Sequence, residues 1–91
     1  MELQADAVAV RFNRLIKYLL EGDLKRNSFQ SWEIQILLDV QRCRLPNARF
    51  RRVILRYQRY VNRRLFHGAP APPTLSEYLQ HCQESRPAPL H

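Results

Sequence analysis

Arg49, Arg52, Arg56, Arg59 and Arg63 recur at alternating intervals of three and four in PNARFRRVILRYQRYVNRRLF, residues 46–66. At about 100° per residue of α-helix, that spacing draws them into one narrow stripe. With a rise of about 1.5 Å per residue, the stripe runs roughly 21 Å from first to last. The chemistry it offers is anion binding. A guanidinium is a planar fork that donates two parallel hydrogen bonds to a phosphate or carboxylate, and its charge persists at any relevant pH. Tyr57 and Tyr60 interleave the arginines, and Arg51, Gln58 and Asn62 add groups able to read base edges. Between Arg42 and Arg64 there are nine basic residues and no acidic one, against six basic and eight acidic in the remainder. The net charge of +7 is thus local to one segment, which favours a binding surface over general solubility. The competing account of such a run is a solvated face with no partner. Like charges at i,i+4 destabilise an isolated helix by about 0.2–0.5 kcal/mol per pair. Core packing must therefore hold the stripe in place, and a polyanion would relieve its repulsion.

Other reactive side chains are present without being assembled. The eight acids are scattered and lie mostly near helix ends, and Glu33 and Asp39 are expected to face solvent. No pair of carboxylates suggests acid–base work. With two glycines in the chain, a phosphate-cradling loop is excluded, and no nucleophile elbow or dinucleotide pattern exists. His67, His81, Cys43 and Cys82 fit no zinc spacing. Ser28 and Ser31 read as helix caps. The expectation is a non-enzymatic protein with no cofactor and no metal.

The elements that must position the stripe are four helices, expected over about 6–21, 29–43, 46–66 and 74–82 from apolar periodicity. In the third, Phe50, Val53, Ile54, Tyr57, Val61 and Leu65 share one face with Tyr60 at its edge, the i, i+3, i+4, i+7 recurrence of an amphipathic helix. Pro46 suits its first turn and Gly68 its end. The first helix carries Val8, Phe12, Leu15, Ile16 and Leu19 on one side, with Arg11, Arg14 and Lys17 facing away and Asp6 as the expected cap. The second, capped by Asn27 with Gln30 or by Ser28, is apolar on two sides: Phe29, Trp32, Ile36, Val40 and Cys43, then Ile34 with Leu38. That makes it the expected centre of the core. Leu45 and Pro46 end it sharply, so the second and third helices are expected to be neighbours.

HGAPAPPT, residues 67–74, is a proline-rich linker, and Thr74 with Glu77 forms a capping box for a short fourth helix. Too short to stand alone, that helix must dock through Leu75, Tyr78 and Leu79. Leu55 and Phe66 offer the landing site; their competing use is a contact with a second copy of the chain or another partner. Residues 84–91 are expected to be a disordered tail after a single domain over 1–83.

The fold class is accordingly all-α: a small bundle of three main helices plus a short docked C-terminal helix. Its layout is superficially like a homeodomain, three helices ending in a basic one. The tryptophan- and asparagine-bearing signature expected of that third helix is absent, and no family membership follows. No stretch approaches the length of a membrane span, the N-terminus lacks a basic leader, and two isolated cysteines read as packed thiols. A cytoplasmic setting follows by default. The leading functional expectation is binding of DNA or RNA, led by backbone phosphates and weak in sequence specificity. The alternative is an adaptor that docks an acidic protein or forms a homodimer; attachment to an anionic membrane ranks far behind.

Overall fold

Four amphipathic segments bury their apolar stripes against one another because none can leave that surface in water. The computed structural model describes residues 3–22 and 28–85. They form α1 (Leu3–Glu21), α2 (Ser31–Cys43), α3 (Asn47–Phe66) and α4 (Leu75–Ser85), an all-α bundle with no strand among the described residues. In it α1 lies along α3, while α4 packs on α2 and α3. The short turn between α2 and α3 does not lay those two side by side; their main partners are α4 and α1 respectively.

The core is Phe12, Leu15 and Ile16 of α1, Ile36 and Val40 of α2, Ile54, Tyr57, Val61 and Leu65 of α3, and Leu75 of α4. Each such side chain contributes about 1.5–3 kcal/mol by leaving water. Tyr57 is the largest of the fully buried side chains, so the centre lies on α3 rather than on α2. Its ring meets Phe12 edge-on at 5.7 Å and Tyr78 at 5.9 Å, and its hydroxyl donates to the Pro73 carbonyl at 2.6 Å. One α3 side chain therefore holds α1, the proline-rich linker and α4 together.

Helix ends differ from expectation in instructive ways. Asp6 is inside α1 rather than capping it. The expected cap Asn27 lies outside the described residues. Gln30 is the N-cap of α2, and Glu33 reaches back to accept its backbone N–H at 2.8 Å. Pro46 precedes α3 as its N-cap, with the N–H groups of Arg49 and Phe50 bonded to its carbonyl. Thr74 caps α4 with its side chain, the Glu77 N–H donating to Thr74 Oγ1 at 3.2 Å, and its hydroxyl lies 3.3 Å from Glu77 Oε1. α4 runs to Ser85, into the segment expected as tail; residues 86–91 lie outside those described. At the C-terminus of α2, Arg44 takes the left-handed conformation (φ 49°) that glycine usually supplies.

Three further expectations are corrected. Ile34 and Leu38 are 44% and 43% exposed, so α2 is covered on one side only. Glu33 and Asp39 are buried rather than solvent-facing. Leu55 and Phe66 do not receive α4, which lands instead on Tyr57 and Tyr60 through Tyr78; Phe66 is left 85% exposed.

Candidate nucleic-acid interface

Because Ile54, Tyr57, Val61 and Leu65 fix the inner face of α3, the opposite face must carry the arginine stripe to the surface. Arg49, Arg52, Arg56, Arg59 and Arg63 are all exposed, as are Arg51 and Arg64 beside them. Among the described side chains, which do not include those of Asp6 and Glu84, no carboxylate lies within ion-pairing distance of any of these seven; the ion pair that does form is Arg11–Glu33.

Where the acids went explains why. Glu33, fully buried, accepts from Arg11 Nη2 at 2.6 Å and from the Gln30 N–H, tying α1 to the start of α2. Arg11, expected on the outer face of α1, is thereby drawn inward. Asp39 accepts from the Ser76 backbone N–H and from the Ser76 hydroxyl, the latter at 2.5 Å. It thus places a negative charge on the N-terminus of α4, where unpaired N–H groups and the helix dipole favour one. Glu77 is engaged with Thr74. Glu21, at the end of α1, stands exposed outside these contacts.

The residues expected to read bases are held elsewhere. Gln58 Nε2 donates to Asn13 Oδ1 at 2.8 Å, and so does Asn62 Nδ2 at 2.9 Å. Asn13 Nδ2 in turn donates to Asn62 Oδ1 at 3.0 Å and to the Ala9 carbonyl at 2.8 Å. This half-buried amide cluster seals the seam between α1 and α3 and turns Gln58 and Asn62 away from the role of edge readers. Arg51 remains exposed.

On the other flank of the stripe, Tyr60 stacks against Tyr78 (5.1 Å) and His81 (4.9 Å), so neither interleaved tyrosine is free for a ligand. Burial raises the Tyr57 hydroxyl far above its usual range, and the nearby Asp39 and Glu77 charges add to the rise. Burial likewise pushes Tyr78 up to about 12, helped by its hydrogen bond with Cys82, while Arg56 pulls the other way.

At the C-terminal end of α3, the His67, Gly68 and Ala69 N–H groups donate to the carbonyls of Arg63, Leu65 and Arg64. Beside this cap, Arg64, His67, Gly68 and Ala69 line a shallow cavity of about 200 Å3. The thiols Cys43 and Cys82 are free and half-buried, and Cys43 Sγ lies 3.8 Å from Ser76 Oγ. Among the described residues no three of His, Cys, Asp and Glu converge as metal ligands, and no helix is long and apolar enough to cross a membrane.

The inward roles of Glu33 and Asp39 had a signal in the sequence. Wound at 100° per residue, Glu33 falls between Val40 and Leu37 on the apolar face and Asp39 beside Trp32. The Asn13 cluster had none, because it depends on how α1 and α3 are set against each other. Compared with protein-family models, with curated proteins and with solved structures, the chain has no significant match in any of the three.

Proposed function

We propose that the chain is a non-enzymatic nucleic-acid-binding domain that grips backbone phosphates through Arg49, Arg52, Arg56, Arg59 and Arg63. The observation that carries this reading is a row of exposed guanidinium groups left without a carboxylate partner, in a fold whose described acids are mostly engaged elsewhere. A row of bare like charges favours a polyanion, because each phosphate both pairs with an arginine and relieves its neighbours. Sequence discrimination is weak, since the Gln58 and Asn62 amides are tied to Asn13. Binding of DNA and RNA oligonucleotides at two salt concentrations tests the reading. Binding that weakens steeply with salt supports it; no binding at low salt ends it.

A second reading has its own support. Leu55, Ile34 and Leu38 are exposed apolar side chains, with Leu55 beside the basic face. They suit an adaptor that docks an acidic protein or pairs with a second copy of itself. A pull-down dominated by one acidic protein and insensitive to nuclease, or a micromolar self-association constant, favours that assignment instead.

A further inference from the structure

Phe66 stands out among the exposed apolar side chains: its ring is 85% exposed, against 50% or less for the others. Leaving a phenylalanine in water forfeits the stabilisation that burial would give, and the core nearby had already filled the position before it with Leu65. Its place on α3 is specific. Stepping from Arg59 by four and then three residues reaches Arg63 and Phe66, so the ring continues the line of the guanidinium groups. Beyond it, Arg64 and His67 border the cavity of about 200 Å3, and the His67 ring stands perpendicular to that of Phe66 at 5.4 Å.

A helix C-terminus ordinarily repels anions. Here the terminal carbonyls of Arg63, Arg64 and Leu65 already accept hydrogen bonds, and two arginines flank them. A phosphate can therefore approach this end, and the cavity has the volume of several waters, at about 30 Å3 each. The rail thus ends in an aromatic face near a hollow bordered by Arg64 and His67.

We propose, resting on the nucleic-acid reading above, that Phe66 is a base-stacking platform and that the ligand is single-stranded, presenting an unpaired base to that ring. Duplex DNA and RNA keep their base faces stacked inside the helix and have no use for an exposed ring at the end of a phosphate track. An unpaired base offers its face, and stacking on an aromatic side chain is tolerant of sequence. That tolerance matches a surface whose amide groups are tied up with Asn13. The phosphates leading to the base run along Arg63, Arg59 and Arg56, and the phosphate beyond it lies near His67.

The test titrates the 91-residue chain with a fluorescent 12-nucleotide oligothymidine and with the same strand in a duplex, for the native sequence, Phe66→Ala and Phe66→Tyr. Far-ultraviolet dichroism confirms that each variant is folded, as an exposed position allows. The expected result is a preference for the single strand, a loss of about tenfold in single-strand affinity for Phe66→Ala, and recovery in Phe66→Tyr. Duplex affinity and the salt slope stay unchanged. Single-strand affinity untouched by Phe66→Ala, with salt-dependent binding intact, overturns the stacking platform and leaves the phosphate rail standing. Binding of neither ligand at low salt overturns both. A native dimer that Phe66→Ala dissociates, with oligonucleotide affinity unchanged, assigns the ring to self-association and overturns the platform.

Discussion

The α2–α4 side of the molecule and the outer face of α3 treat charge in opposite ways. On the first, Glu33 and Asp39 are buried and fully hydrogen-bonded, one to Arg11 and Gln30, the other to both donors of Ser76. On the second, five guanidinium groups stand in water without an acidic neighbour among the described residues. The difference shows that the positive surface follows from where the acids are used. A carboxylate that caps a helix or holds two helices together is withdrawn from the surface, and the arginines left outside keep their full field. Charge is structural on one side and displayed on the other.

Removing a structural carboxylate should break this contrast most severely. Glu33→Ala leaves Arg11 half-buried without its partner and strips the Gln30 N–H, so a loss of about 3 kcal/mol is expected, softened because Arg11 can turn toward solvent. For a domain of this size, urea denaturation should read the loss directly and the melting temperature should fall by roughly 10–20 °C. Asp39→Ala comes next, at about 2 kcal/mol, since two Ser76 donors at the α4 N-terminus lose their acceptor. Here the damage should be local, with amide exchange rising across α4 before it rises in α1 and α3.

Tyr57→Phe is the third, at about 1 kcal/mol for the bond to the Pro73 carbonyl. Tyr57 also sets an alkaline limit. Its hydroxyl and that of Tyr78 are held above the ordinary value of 10.0, so the folded state retains protons that the unfolded chain releases. Stability from both is whole below pH 10 and falls as pH rises beyond it, over the window from 10 to about 12 for Tyr78. Tyrosinate absorbance in the native protein should lag that of the unfolded chain, and Tyr57→Phe should shed part of the alkaline sensitivity.

Two small gains sharpen the comparison. Arg44→Gly relieves a left-handed C-cap and should add about 0.5–1 kcal/mol, visible as a higher urea midpoint. Arg56→Gln should add a few tenths of a kcal/mol, by relieving repulsion with Arg52 and Arg59. In the same variant nucleic-acid affinity should fall. Stability and binding moving in opposite directions is the signature of a side chain kept for its ligand; a parallel loss of both would make Arg56 structural.

The helices themselves were readable because each carries a long apolar stripe whose period leaves little choice. The inner residues of α1 and α3, from Phe12 to Leu65, lie where periodicity puts them. What misled was polarity taken as exposure. Glu33 and Asp39 look like solvent-facing acids by residue type, although both fall on the apolar side of α2 and Glu33 serves the N–H of Gln30 on its own helix. The Ser76 donors of Asp39 come from a segment that only the fold brings near. Gln58 and Asn62, expected to read base edges, meet a partner, Asn13, that another helix contributes. The expected landing site at Leu55 and Phe66 failed because the proline-rich linker, pinned by Tyr57, brings α4 to Tyr60 and α2 instead. The arginine stripe was legible since its spacing depends on that helix alone and its residues lie opposite the apolar face that the core claims.

The salt dependence of oligonucleotide affinity tests the displayed charge most directly. If five phosphates are neutralised, log K should fall with log salt at a slope of about −4.5 for duplex DNA or about −3.5 for a single strand, and each arginine replaced by glutamine should remove nearly one from it. A flat dependence, or a slope that the loss of all five leaves unchanged, would contradict the account.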